Sequence, residues 1–262
     1  MSNQEGKVSR ETRGHIFLIG LDRAAKRNAF DSHLIKDLSL ALTEYENNDE
    51  LRCAVIFAHG DHFTAGLDLV ELQPKLATGV FDFSDEEVNP WGTVGRKLSK
   101  PLIVAVQGYC YTAGIELFLN ADIALASENT QFAQMEVQRG ILPFGGATAR
   151  FTQAAGWAKA MRYLLTGDPF DAKAALDMNL ITEICPEGTE LNRAIELAEH
   201  IAQAAPLAVK ATLASAREAI NEGYQAAFSQ LQNHLHPLLK TEDVQEGVFA
   251  MLQKRPPVFK GK

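Results

Sequence analysis

Glu116 follows a run of small residues, Thr112-Ala113-Gly114, and the residues Ile115 to Leu119 after that run keep helix-forming spacing. Upstream, Leu102 to Val106 is a short apolar, β-branched run led by Pro101 and ended by Gly108, which suits a buried strand. The chain therefore reads strand, tight bend, helix, with Glu116 in the first helical turn. The first N–H groups of a helix have no partner inside it, and the dipole favours negative charge there. Small side chains at Ala113 and Gly114 let a ligand oxygen approach those donors. The chemistry open to such a bend is stabilisation of a developing oxyanion. Taken singly, Glu116 also fits a first-turn acid that only complements the dipole.

The pattern occurs once before. Cys53 to Ala58 is an apolar run that leads through His59-Gly60-Asp61-His62 into Thr64-Ala65-Gly66-Leu67-Asp68-Leu69, against Thr112-Ala113-Gly114-Ile115-Glu116-Leu117 later. Two copies of Thr-Ala-Gly-apolar-acid-Leu, each after a strand-like run, read as one repeated turn. Stacked turns would aim two N–H groups at one point, an oxyanion hole. The same residues equally suit two tight strand-to-helix turns whose small side chains serve packing.

Four blocks in order along the chain resemble the crotonase family, the enoyl-CoA hydratases and isomerases. They are Leu21-Asp-Arg-Ala-Ala-Lys-Arg-Asn-Ala-Phe30, Phe63-Thr-Ala-Gly-Leu-Asp68, Gln107-Gly-Tyr-Cys-Tyr-Thr-Ala-Gly-Ile-Glu-Leu117, and Phe132 to Gly146. The resemblance implies an α/β fold, a spiral of repeated ββα turns with a C-terminal helical region, and an acyl-CoA thioester as substrate. It implies that Glu116 activates water and Glu136 protonates the α-carbon, giving a 3-hydroxyacyl-CoA from a trans-2-enoyl-CoA. Two carboxyl groups facing one water supply the base and the acid that this addition needs. The implied oxyanion donors are the N–H groups of Leu67 and Ala113. Thr112 and Ala113 stand where most relatives carry glycine, so a methyl sits close to the oxygen. The implied coenzyme A pocket runs along Lys26, Asn28 and Ala65, with basic help from Lys26, Arg27 or Lys260; Gly66, Asp68 and Gly114 belong to the same turns. Asp68 suits a helix N-terminal acid better than a third catalytic carboxylate. Phe144 replaces a frequent glycine and narrows the acyl site. No cofactor beyond the coenzyme A of the substrate is implied, and the assembly implied is a homotrimer or a homohexamer. Two alternatives stay open: isomerisation of a 3-enoyl-CoA by Glu136 alone, and a non-catalytic acyl-CoA binding protein.

Composition sets outer bounds. At 262 residues, 46% apolar and 22% charged, the chain has material for a sizeable core. A net charge of −8 argues against nucleic acid as a bulk partner. The N-terminus has no apolar leader and no run approaches a membrane span, so a soluble, cytoplasmic protein is expected. Cys53, Cys110 and Cys185 are odd in number and embedded in apolar runs, which suits reduced core residues. His234 and His236 fall on different helix faces and His59 and His62 flank a turn, so no metal site is expected. Walker A, G-x-G-x-x-G and G-x-S-x-G motifs are missing.

The remaining pattern positions these groups. Residues 1–10 are polar and read as loose, and residues 15–21 as a strand. Asp31 caps a helix with Leu34, Leu38, Leu42 and Tyr45 on one face. Residues 74–98, with Pro74, Gly79, Pro90, Trp91 and Gly92, read as a loop with short helices, which the resemblance places near the acyl end. From Gly188 helix formers dominate, with Pro206 at a permitted first-turn position. The expected division is a spiral core over 1–200 and a helical oligomerisation region over 201–262.

Overall fold

The computed structural model describes residues 5–76 and 83–262; Gly79 lies outside them. The strands are β1 (Lys7–Arg13), β2 (Ile16–Asp22), β3 (Cys53–Ala58), β4 (Leu102–Val106), β5 (Tyr109–Tyr111), β6 (Ile123–Ser127), β7 (Gln131–Ala133), β8 (Phe170–Asp171) and β9 (Glu183–Cys185). The helices of the first half are α1 (Ser32–Asn47), α2 (Leu69–Leu76) and α3 (Ala113–Phe118). After them come α4 (Ala147–Ala155), α5 (Trp157–Leu164), α6 (Ala172–Asp177), α7 (Glu190–Ala202), α8 (Pro206–Glu222), α9 (Tyr224–Leu238) and α10 (Glu242–Gln253).

A six-stranded sheet in the order β1-β2-β3-β4-β6-β9 is parallel except for the antiparallel edge strand β1. Its inner strands are apolar on both faces because both faces are covered. Phe17, Ile19, Ala54, Ile56 and Val104 pack toward α1 and the inner helices. Ile16, Leu18, Val55, Ile103 and Leu125 pack under α7 through Ala194, Ile195 and Ala198. A second sheet, β5-β7-β8, is extended by an isolated parallel bridge from Thr64 to Cys110. The chain thus passes from β4 to β5 to α3, then from β6 to β7 to a short 3-10 turn over Glu136–Arg139. Strand, strand and helical turn recur in a spiral, as the family resemblance implies.

α1 forms where its capping and spacing predict it. The Asp31 Oδ1 accepts from the Leu34 N–H at 2.8 Å, and Leu34, Leu38, Leu42 and Tyr45 are fully buried. At its other end the Lys100 ammonium donates to the carbonyls of Tyr45, Asn48 and Leu51, satisfying acceptors that the helix terminus leaves open. The C-terminal helices follow Gly188 as expected, and α8 begins at Pro206.

Two expectations are corrected. Of the N-terminal stretch read as loose, residues 1–4 lie outside the described residues, whereas Lys7–Arg13 pairs with β2 along its whole length and Val8 is buried. Pro74 sits inside the short helix α2. The two Thr-Ala-Gly copies are not equivalent in space. Thr64 pairs with Cys110 rather than with Thr112, and α2 begins after Asp68, whereas α3 already includes Ala113. The copies are therefore paired out of step by two residues, and their helices begin at different points of the motif, with Asp68 before its helix and Glu116 within one.

Candidate active site

Lys26, Ala65, Leu67, Asp68, Thr112, Glu136 and Phe144 all line one cleft of about 360 Å³. A larger cavity of about 680 Å³ opens between the chain after α3 and α8, but neither Glu116 nor Glu136 lines it, so the chemistry points to the smaller cleft.

The walls are built from the two turns. At the first, the Phe30 N–H donates to Gly66 O at 2.8 Å, and the Asp68 N–H donates to Phe30 O at 2.9 Å. These bonds bracket Leu67 and leave its own N–H without an acceptor among the described residues. At the second, the Thr112 N–H donates to Ala133 O and the Glu116 N–H donates to Thr112 O. The Ala113 N–H is the first of α3 and likewise meets no acceptor among the described residues. Thr112 has φ 49° and ψ −112°, a backbone region where only glycine is comfortable, so this turn stores strain. Gly66, at φ 93°, must lack a side chain, because a Cβ there would strike Thr112 Oγ1. Gly114 is packed against Thr64 and forms the backing of the wall rather than its surface.

The two glutamates differ in access. Glu136 lines the cleft while only 6% exposed; its Oε1 accepts from Gln134 Nε2 at 2.9 Å and its Oε2 has no partner among the described residues. Burial pushes its carboxyl up to about 7, against its own backbone amide and Gln134, which favour the ionised form. Glu116 is 2% exposed and is not among the residues lining the cleft, its Oε1 accepting from the Ala147 N–H at 3.1 Å. Burial pushes it to about 7 as well; the amides of Ala147 and Gly145 oppose the rise, and the charge of Glu136 adds to it. Gly145 has no room for a side chain, since a Cβ would come within 2.6 Å of Glu116 Oε2 and 2.9 Å of Trp91.

Two of the residues implied for the coenzyme A pocket stand elsewhere. Asn28 is fully buried and committed to the fold: its Oδ1 accepts from the Arg23 N–H at 2.7 Å, and its Nδ2 donates to His59 O and His62 O, both at 2.8 Å. Its carbonyl accepts from Thr64 Oγ1. Lys260 lies in the tail, where its N–H donates to the Asp243 carboxylate at 2.7 Å, and it is not among the cleft residues of its own chain. Asp68 reaches the cleft but is ion-paired with Arg23 at 2.9 Å. Burial alone would raise its pKa, yet Arg23 holds it below the ordinary carboxylate value. It acts as a tie between the turn and the Arg23 loop.

Sequence reasoning missed Gln134, Arg150 and the partner of Trp91. Arg150 Nη1 donates to Trp91 O at 2.7 Å, and its charge favours ionised Glu116. Gln134, two residues before Glu136 and apolar-flanked, carried a usable signal; the other two gave none.

The family model for enoyl-CoA hydratase/isomerase matches residues 11–262. The chain belongs to that family. A 2,3-dehydroadipyl-CoA hydratase of Escherichia coli is 34% identical over 255 residues, covering 97% of this chain and 98% of the relative. Among solved structures, a probable enoyl-CoA hydratase/isomerase from Mycobacterium abscessus superposes with TM-score 0.94 at 46% identity, over 98% of this chain and 99% of that one. An enoyl-CoA hydratase from Mycobacterium tuberculosis gives TM-score 0.90 at 31% identity over 98% and 99%. No helix among the described residues is long and apolar enough to cross a membrane.

Proposed function

We propose that the protein is an enoyl-CoA hydratase that adds water across the double bond of a trans-2-enoyl-CoA to give a 3-hydroxyacyl-CoA. The observation that carries the reading is the coupled, buried pair Glu116 and Glu136, both pushed to about 7 beside a cleft with two N–H groups free to donate. Ionised Glu116 takes a proton from water as its oxygen bonds to C3. The electrons of the double bond pass toward the thioester oxygen, where the N–H groups of Leu67 and Ala113 stabilise the enolate. Protonated Glu136 then delivers its proton to C2. One proton has moved from Glu136 to Glu116, and exchange through the coupled pair or solvent resets the site. The addition is redox-neutral, and the carboxyls supply both proton transfers.

The active form holds one proton on the pair. Below the pair's apparent pKa values both acids are protonated and the base is lost; above them both are ionised and the acid is lost. The expected result is a bell-shaped kcat/KM centred near 7, followed by loss of absorbance of the conjugated thioester over a graded set of enoyl-CoAs. A rate that keeps rising through pH 9 would sink the assignment of Glu136 as acid.

One observation favours a second reading. Glu136 lines the cleft and Glu116 does not, so Glu136 could shuttle a proton between C2 and C4 of a 3-enoyl-CoA alone, as an isomerase.

The proposal extends to assembly as a homotrimer, alone or paired into a hexamer. Phe228, Leu231 and Leu235 lie on α9 at helical spacing, Leu239 follows at its C-cap, all four are exposed, and α8 has no buried residue. An apolar stripe of this kind is expected to be covered by another copy. Sedimentation should give three or six chains; a monomer at micromolar concentration would remove this part.

A further inference from the structure

Trp91 lies in the stretch that the sequence reads as a loop with short helices, yet it is fully buried. Its Nε1–H donates to Ala113 O at 2.9 Å, on the residue whose N–H is the second proposed oxyanion donor. Its ring packs edge-on to Phe30, with centroids 5.4 Å apart and planes at 74°. Phe30 is the residue whose backbone N–H and carbonyl bracket Leu67. One indole therefore touches the supports of both donors. It also closes the space over Gly145, behind Glu116, and its own carbonyl is held by Arg150.

The second donor has a particular need of that support. α3 is only six residues long, and Thr112 at its start provides no side-chain cap. The strained Thr112 backbone, which adjoins the peptide carrying the Ala113 N–H, persists only where its surroundings hold it. The Thr112 carbonyl is restrained by the Glu116 N–H on one side, and the Ala113 carbonyl by the indole on the other.

We propose that Trp91 is a positioning residue of the oxyanion hole: its indole N–H, bonded to the Ala113 carbonyl, keeps the Ala113 N–H aimed at the thioester oxygen. This rests on the reading of Leu67 and Ala113 as the oxyanion donors.

The test compares Trp91→Phe, which deletes the N–H and keeps an aromatic ring, with Phe17→Leu, a core truncation in β2 that leaves α3 alone. The probe is an enoyl-CoA conjugated to an electron-donating aryl ring, whose absorption moves to longer wavelength as its thioester oxygen is polarised. In the unaltered protein the bound probe shifts to the red. Trp91→Phe should lose most of that shift and about tenfold in kcat, less than deleting a donor outright, with KM within about twofold. Phe17→Leu should lower the unfolding midpoint and keep both shift and kcat. A full shift and full kcat in Trp91→Phe would overturn the proposal, as would a loss of shift in both variants that tracks their unfolding midpoints. A missing shift in the unaltered protein would remove the oxyanion reading itself, and this proposal with it.

Discussion

Glu116→Gln hydrates a trans-2-enoyl-CoA ~10²–10⁴-fold more slowly than the unaltered protein. The substitution preserves shape, and the amide oxygen can still accept from the Ala147 N–H, so the wall of the cleft stays in place. What disappears is basicity: an amide cannot take the proton of an attacking water. KM should stay close to its original value, because Glu116 is not among the groups that line the cleft. Isomerisation of a 3-enoyl-CoA, if the protein performs it, runs through Glu136 and survives. The same variant simplifies the pH profile, since Glu136 then titrates without a charged neighbour, its pKa still raised by burial. An unchanged hydration rate would eliminate the two-acid mechanism and leave the Glu136-only reading standing.

The largest expected effect on stability belongs to Arg23. Its guanidinium is 2% exposed and bonds Asp31 at 3.0 Å, Asp68 at 2.9 Å and the Ala29 carbonyl at 3.0 Å. Replacing it by methionine fills similar space but leaves the carboxylate of Asp31 buried without its cation, a change that costs about 3–5 kcal/mol. Urea unfolding should show this as a lower midpoint at nearly constant slope. Asp68→Asn should cost much less, because the Asp68 side chain is 22% exposed and water can reach what is left. A midpoint shift in Arg23→Met no larger than that of Asp68→Asn would show that the buried pair with Asp31 contributes little. The effect reaches the site, since Arg23 joins the loop that carries Lys26 to the turn that carries the Leu67 N–H.

The fates of Asp68 and Glu116 show why like sequence does not become like structure. Both follow Thr-Ala-Gly-apolar, and the two hexapeptides look interchangeable. Their surroundings differ: Arg23, 45 residues before Asp68, captures the first acid, while the Ala147 amide, 31 residues after Glu116, receives the second where it is buried. The helix after the first copy begins only at Leu69, whereas the helix of the second begins at Ala113, so one acid precedes its helix and the other lies inside.

What the chain reveals on its own is what depends on neighbours in sequence. The β-branched run at Leu102–Val106, the Asp31 cap and the stripe of α1, and the helix-forming tail after Gly188 were readable because period and capping are local. The ordered blocks around Asn28, Gly66, Glu116 and Gly146 marked the family. Only the folded chain decided that Asn28 is an internal brace, that Lys260 lies outside its own cleft, and that Glu136 lines the cleft while Glu116 is buried. It also seated Trp91 on the Ala113 carbonyl, 22 residues away. Such pairings join positions far apart in sequence through burial, and desolvation, which no local pattern records, is what moves both carboxyls toward neutrality.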